Sequence, residues 1–425
     1  MKVLLIGNGG REHCLAWKLK NSSSEVKVFS PSNNAGIQKI AEFVELNEKD
    51  YAQISRFCID EKIDFVVVGP EDPLANGISD YFRSKGIPVF GPSKLAARIE
   101  ASKSFAKNFM KRHQIPTAHF KAFTYENFSE AKKFVQSLEP PIVVKADGLA
   151  AGKGVVVCPT QQEAISVIER MFAGEFGESG KMVVVEEFLA GEEASILAIT
   201  DGNDYLLLPT SQDHKRILDG DKGKNTGGMG AYSPTPIIKD KVLEQIQREI
   251  ISPAIKGMKE EGFPFVGCLY AGLMVKDGYA KVVEFNCRFG DPETQAVLPL
   301  LKGDFASLLY SAATGKLEKN YLYVSNELFS CCVVLASAGY PDHYQKGYQI
   351  FGIEEAESIG CLVFHSGTIF SDDKIFTNGG RVLGVVGLGL TLPDAIKKAY
   401  EGVEKINFEN KYYRKDIGIK GLKYL

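Results

Sequence analysis

The sequence predicts an α/β protein in three parts, with α+β character in its middle. Three observations carry this expectation. The chain has 425 residues, which at ordinary domain size means roughly three domains. Its first part alternates short apolar runs with helical stretches, the pattern of a Rossmann-like parallel sheet with crossover helices. After Asn320 the pattern starts afresh with new strand-like runs. The expected divisions are 1–102, 103–324 and 325–425.

The elements follow in order. Lys2–Ile6, Val26–Phe29, Phe65–Val68 and Pro88–Phe90 are apolar and β-branched enough to be strands. Gly10–Lys20, Asp50–Glu61 and Leu74–Lys85 are expected as helices. Ser93 is a good N-cap for a helix running to about His113, where Gln114-Ile115-Pro116 ends it. Pro141–Lys145 and Gly154–Val157 should pair as a hairpin around a glycine-rich turn. Lys181–Glu186, Glu193–Thr200 and Tyr205–Leu208 read as strands. Asp213–Pro236 is polar and glycine-rich, and is expected to be a long functional loop. A helix over Asp240–Glu261 precedes strands at Cys268–Lys276 and Tyr279–Phe285. The last part holds strands at Leu328–Ala336, Leu362–His365, Lys374–Thr377 and Arg381–Leu388, then a helix over Leu392–Glu404.

Composition narrows the class. Hydrophobic residues make up 44% and charged residues 24%, and the net charge is −3 with no basic stripe. A nucleic-acid partner is therefore not expected. Met1–Ile6 is apolar but is broken at once by Gly7-Asn8-Gly9, too short for a signal peptide or a membrane span. The eight cysteines are scattered with no C-x-x-C pair, so neither a disulfide framework nor a zinc site is indicated. A cytoplasmic chain is expected.

Three segments carry chemistry. In the run Val282 to Glu293, strand alternation puts Glu284, Asn286 and Arg288 on one face, with Val283, Phe285 and Cys287 toward a core. Two hard oxygen donors suit Mg²⁺ shared with phosphates, and a guanidinium suits phosphate oxygens. A solvated polar strand face is the alternative at this point. Gly7-Asn8-Gly9-Gly10-Arg11-Glu12-His13 follows a strand and opens a helix, the setting of an anion site. It lacks the third glycine of a dinucleotide fingerprint, and the second strand ends in Phe29-Ser30-Pro31 with no acid for a ribose. A nicotinamide dehydrogenase is thus disfavoured. Gly148 to Gly154 departs from a Walker loop in spacing and lacks its Ser/Thr, but a glycine hairpin with Lys145 and Lys153 can fold over a triphosphate as a lid.

These segments, with Glu186-Glu187-Phe188-Leu189, Val68-Gly69-Pro70-Glu71, Ser211–Arg216, Asn225–Tyr232, Thr377–Arg381 and Tyr413–Gly418, resemble the ATP-grasp superfamily. Within it they are most similar to the phosphoribosylamine–glycine ligase family. The resemblance covers nearly the whole chain. Two departures are visible: Lys224 stands where the family has proline, and Pro31-Ser32-Asn33-Asn34-Ala35-Gly36 carries one residue more than the family loop. The resemblance implies a central ATP-grasp domain with a mobile lid subdomain at about 122–192. It also implies ligation of glycine to 5-phosphoribosylamine through a glycyl phosphate, the second step of purine synthesis. ATP and Mg²⁺ or Mn²⁺ are the implied cofactors, the partners are small molecules, and a monomer is expected. By resemblance Glu284 and Asn286 hold the metal. Lys103, Lys145, Gly152, Lys153, Gly154, Glu186, Glu187, Leu189 and Glu193 hold the nucleotide. Gly9, Gly10, Asn34, Glu71 and Asp291 face the amine substrate. Asn225, Thr226, Gly227, Gly228 and Met229 enclose glycine. Arg288, Asp213, Lys215 and His214 are implied to serve the chemistry, His214 or Asp291 as proton acceptor. A ligase for another acid or amine, and a nucleotide-binding regulator without catalysis, are the competing readings.

Overall fold

The computed structural model describes residues 1–148, 154–325 and 327–425. Its N-terminal sheet is parallel, ordered Glu42–Phe43, Lys27–Ser30, Lys2–Ile6, Phe65–Val68, Val89–Phe90. Both faces are covered, which is why its strands read as unbroken apolar runs. Leu4, Ile6, Val66 and Val68 join one hydrophobic cluster, while Val3, Leu5, Phe65 and Val67 join another. The order reverses between Lys2–Ile6 and Phe65–Val68. The turns after these two strands, at Gly7–Gly9 and Gly69–Pro70, therefore open side by side, where such sheets bind ligands.

Two expected helices are each broken in two. Glu71–Ala75 and Ile78–Ser84 meet at Gly77, whose φ of 91° a helix cannot hold. Lys94–Ala101 and Lys103–Arg112 meet at Ser102, which is extended. The Ser102 hydroxyl accepts from Phe105 N at 3.1 Å, so a serine that could sit inside a helix instead caps a new one. This break sets Lys103 at the start of its helix. The helix expected over Asp240–Glu261 is present, but Gln247–Ile251 winds it more widely for one turn. Helices at Phe128–Gln136, Gln161–Arg170 and Phe305–Ala313 complete the packing.

Two antiparallel sheets form the middle of the molecule. One is ordered Phe120–Thr124, Met182–Glu187, Ile142–Ala146, Val155–Cys158 and has its own small core, including Phe123, Val144, Ile168 and Val185. The other is ordered Tyr205–Leu207, Glu192–Asp201, Val266–Lys276, Tyr279–Asn286. Its edge strand carries a bulge: Gly272 faces Glu284 while Leu273 faces Val282, leaving Val283 without an opposite residue. Val282 and Phe285, three apart, are consequently both in the core, and Val283 is only half-buried. The expected inward Val283 is corrected by this slip, but Glu284 and Asn286 still share the other face.

The expected loop over Asp213–Pro236 is about half strand. Arg216–Leu218 and Lys222–Asn225 form a hairpin. Gln212–Asp213 and Gly230–Ser233 pair with each other, and the latter pairs with Phe329–Ser337. The C-terminal sheet thus incorporates two strands from the middle of the chain. Polar, glycine-rich composition hid them, and Gly230–Ser233 finds its second partner only in the distant Phe329–Ser337 strand.

Candidate active site

The bulged strand brings the first group of residues together. Glu284 and Asn286 are half-buried, and neither side chain has an ion-pair or hydrogen-bond partner among the described residues. Burial raises the Glu284 carboxyl, but Lys215, Lys145, Lys103 and Arg288 outweigh it and hold the group below its ordinary range. Glu284 is therefore an ionised carboxylate with free lone pairs. Among the described residues no three His, Cys, Asp or Glu side chains gather as a metal cage. One carboxylate and one amide on a cation-rich face fit Mg²⁺ that draws its other ligands from water and phosphates.

Cations ring this face. Lys145, on the strand Ile142–Ala146, donates to Val283 O at 3.3 Å and pairs with Glu186. Glu186 is also paired with Lys107 at 2.5 Å, so the carboxylate fixes two lysines between the small sheet and the helix Lys103–Arg112. Lys103 Nζ donates to Gly148 O at 2.7 Å, at the edge of the glycine turn. Lys215 pairs with Glu193 at 3.1 Å and reaches Asp213 at 3.9 Å. Asp213 is buried, and with Glu293, Glu193 and Glu284 nearby its carboxyl rises to about 8 despite Lys215. Glu187 accepts from His119 N at 3.0 Å, and Leu189 lies half-buried just past that strand end. Gly154 O accepts from Ala146 N at 2.8 Å, closing the base of the hairpin. The expected ligands Gly152 and Lys153 lie outside the described residues.

The second group lines a cavity of about 400 Å³ at the switch point of the N-terminal sheet. Asn8, Gly9, Gly10, Arg11, Glu12 and Pro70 form one wall. Tyr340, Ser366, Thr368, Asn378 and Arg381 come from the C-terminal part, with Asp291 between the walls. Glycine at position 10 leaves room for the facing wall, since a Cβ would sit 2.4 Å from Ser366 Oγ and would displace it. The anion site expected at the helix start is partly filled by the protein itself. Glu12 Oε2 accepts from Gly9 N at 2.6 Å, and Asp291 Oδ2 from Arg11 N at 3.3 Å. Asp291 also accepts from Gln295 at 2.8 Å and pairs with Arg381 at 3.3 Å. Burial raises the Asp291 carboxyl, but Arg381, Arg11 and the hydrogen bonds from Gln295 and Arg11 N together outweigh it and hold the group below its ordinary range. Arg381 further donates to Gly227 O and Asp291 O, which fastens the 225–230 turn over the cavity. Thr226 Oγ1 steadies the turn by donating to Lys215 O at 2.8 Å. Gly228, at φ 113°, sits against Pro292 with no room for a side chain. Asn225 is exposed at the hairpin end.

Three expected site residues are turned elsewhere. His214 lies between Asp213 and Lys215, so alternation points it away from both. It is buried, accepts from Gly418 N at 3.3 Å, and is driven to about 3 by burial, Arg414 and Lys420. With Nε2 taken by Gly418 N, the ring is placed to brace the chain at residue 418. Met229 packs in the C-terminal core beside Tyr232 and Val333, and its N–H and carbonyl are bonded to His214 O and Val334 N. Asn34 is buried with every amide position engaged. Its Oδ1 accepts from Gly36 N and Ile37 N, and its Nδ2 donates to Asn8, His365 and Ser366 carbonyls. It is a brace between the N- and C-terminal parts.

Sequence reasoning overlooked several residues that meet here: Arg11, Glu100, Tyr340, Ser366, Asn378 and Arg381. The signal for Arg381 was present as a glycine pair followed by arginine at a strand start. The others have no local signature. Tyr270 was also overlooked; it donates to Glu293 at 2.8 Å and bonds Ser195 at 2.8 Å, bracing the acidic side of the site.

Comparison with known proteins identifies relatives along the whole chain. Models of the phosphoribosylglycinamide synthetase N domain, ATP-grasp (A) domain and C domain match residues 1–100, 101–294 and 330–420. A phosphoribosylamine–glycine ligase of Neisseria meningitidis serogroup B is 49% identical, over 99% of this chain and 100% of its own length. A bifunctional purine biosynthetic protein of Schizosaccharomyces pombe is 48% identical over 98% of this chain. The chain spans 53% of that protein, about half its length. The crystal structure of a phosphoribosylamine–glycine ligase from Thermotoga maritima superposes with a TM-score of 0.84 at 34% identity, covering 98% of this chain and all of the other. A biotin carboxylase from Campylobacter jejuni shares the fold, with a TM-score of 0.71 at 14% identity over 97% of this chain and 92% of its own.

Proposed function

This chain belongs to the phosphoribosylglycinamide synthetase family, and from that premise we propose that it ligates glycine to 5-phosphoribosylamine with ATP. The products are glycinamide ribonucleotide, ADP and phosphate. The observation that carries the reading is the ionised Glu284, without a partner among the described residues, beside Asn286, ringed by lysines and set near a separate cavity at Gly10 and Asp291.

Glycine's carboxylate is a poor electrophile because its leaving group would be oxide. A glycine oxygen attacks the γ-phosphorus, the bond to the β-phosphate oxygen breaks, and glycyl phosphate and ADP form. The ribosylamine nitrogen then attacks the glycyl carbonyl. The C–O bond to phosphate breaks, phosphate leaves with the electron pair, and the nitrogen loses a proton. Such chemistry needs positioning and charge neutralisation more than covalent help.

Glu284 and Asn286 would hold Mg²⁺ or Mn²⁺, which would supply charge neutralisation to the phosphates of ATP. Lys103, Lys145 and Arg288 surround the same oxygens, with Glu186 holding Lys145 in line. Glu187, Leu189 and Glu193 serve the nucleoside end. Asp213 and Lys215, under the Thr226–Gly228 turn, receive glycine. Gly9, Gly10, Glu71 and Asp291 receive the amine substrate, with Asn378, Ser366 and Arg381 opposite. Residues 1–102, 103–324 and 325–425 then divide the labour between amine, nucleotide and closure of the amine cavity. We read the chain as a cytoplasmic monomer. Its eight cysteines are buried and unpaired, in keeping with a reducing compartment. Among the described residues no helix is long and apolar enough to cross a membrane.

The test is ADP release by the purified chain given ATP, Mg²⁺, glycine and phosphoribosylamine. Glycine-dependent and amine-dependent ADP is expected. No ADP above background rejects the reading, and a marked preference for another amino acid replaces glycine as the acid.

A further inference from the structure

A ladder of charges joins the two ends of the site. Arg11 lines the amine cavity. Its Nη1 donates to Phe289 O at 3.1 Å, and Arg288 Nη1 donates to the same oxygen at 3.2 Å. Glu71 Oε2 lies between the two guanidiniums, 3.1 Å from Arg288 Nε and 4.0 Å from Arg11 Nη1. On the far side, Glu100 Oε1 accepts from Arg288 Nη2 at 2.9 Å. Its Oε2 accepts from Cys287 N at 2.7 Å, the residue just past the strand that carries Glu284 and Asn286.

The two carboxylates differ in freedom. The Glu100 side chain is 8% exposed and has both oxygens engaged, whereas Glu71 is 31% exposed with a second cation within reach. Among the described residues two N–H groups of Arg288 are unengaged, one on each terminal nitrogen, the number a bidentate grip on a phosphoryl group needs. With both carboxylates beside it, however, the Arg288 charge is offset, which weakens its pull on an approaching phosphoryl group.

We propose that Glu100 is a positioning residue that anchors Arg288 to the metal-binding strand, while Glu71 is a latch on the same guanidinium that the amine substrate releases. Resting on the ligase reading, this assigns a division of labour within its site. Ribose hydroxyls donating to Glu71 weaken its hold on Arg288 and let it turn toward Arg11. Arg288 then carries its charge to the phosphoryl group. Amine occupancy is thereby coupled to acyl-phosphate formation, which limits loss of a hydrolysable intermediate when no amine is present.

The experiment compares full-length wild type, Glu71→Gln and Glu100→Gln with ATP, Mg²⁺ and glycine, each with and without phosphoribosylamine. Glu71→Gln should raise amine-independent, glycine-dependent ADP release by about three-fold or more while lowering kcat/KM for the amine. Glu100→Gln should lower kcat by about 10–100-fold, the loss of one hydrogen bond to a charged group, with KM for ATP and glycine within about two-fold. Glu100→Asp should recover part of that loss. An unchanged or lower amine-independent rate in Glu71→Gln overturns the latch. A Glu100→Gln effect confined to KM overturns the anchor. No ADP from wild type in the complete mixture rejects the ligase reading and the latch with it; a working wild type with an unresponsive Glu71→Gln rejects the latch alone.

Discussion

The two ends of the site are built on different principles. The nucleotide end is made of charged and polar side chains on one bulged strand and on the elements packed around it: Glu284, Asn286, Lys103, Lys145, Lys215. The amine end is a cavity between folded parts, where backbone groups at Gly9–Gly10 meet Ser366, Asn378 and Arg381 from the other end of the chain. The first is local chemistry, placed by strand alternation. The second exists only once the N-terminal sheet and the C-terminal sheet are docked. A change at the first end should therefore alter charge neutralisation, and a change at the second should alter how one substrate is held.

Substitutions can separate the two. Glu284→Gln should cut turnover by about 10³-fold, because it removes the charged ligand from a metal that stabilises several kcal/mol of transition-state charge. KM for the amine should stay within about three-fold. Arg381→Met should lower kcat/KM for the amine by about 10²-fold, the scale of truncating a buried charge pair, with the ATP dependence unchanged. Steady-state kinetics with each substrate varied checks both. If Arg381→Met raised the KM for ATP instead, the contrast between the ends would fail.

Acid should break the amine end by another route. His13 and His365 face each other across the junction of N- and C-terminal parts, with His365 N donating to His13 Nδ1 at 2.8 Å. Burial drives His13 well below its usual range, and drives His365 to about 3. Their folded values lie below the unfolded value near 6.5. The unfolded chain thus binds more protons, and the stability these groups contribute is full above about pH 6.5 and lost as pH falls toward 3. Each such histidine adds a slope of about 1.4 kcal/mol per pH unit within that window. Urea unfolding between pH 7 and 4.5 should show it, with a shallower slope in His365→Gln. An identical slope would remove His365 from the explanation.

The smallest effect is expected at His214. His214→Gln should keep kcat within about three-fold and leave its pH profile unmoved, whereas a general base contributes about 10²–10⁴-fold.

How much of this was legible follows the same divide. Glu284 and Asn286 could be placed on one face from spacing alone, although the bulge at Val283 could not be foreseen, because it depends on register with Gly272. The parallel sheet was legible because burial on both faces leaves apolar runs in the sequence. His214 was misjudged through neglect of the alternation that served so well at Glu284; the residues around it were taken for a loop. Met229 and Asn34 stand in sequence motifs that carry the resemblance, yet one fills a core and the other braces two domains. Being part of a motif does not separate contact with a ligand from support of the backbone that makes it. Arg381 and Glu100 act across separations of 90 and 187 residues, and no local pattern encodes such a meeting.

The strands Gln212–Asp213 and Gly230–Ser233 have a wider consequence. They stitch the middle of the chain into the C-terminal sheet, so that the last hundred residues are not a detachable module. A nick near residue 325 would leave two fragments still woven together, and deleting everything beyond it would strip Gly230–Ser233 of its neighbour on one side and unsettle Asp213 with it. Fusion at either terminus leaves this weave untouched, whereas grafting the C-terminal part between relatives would have to carry the 212–233 segment along.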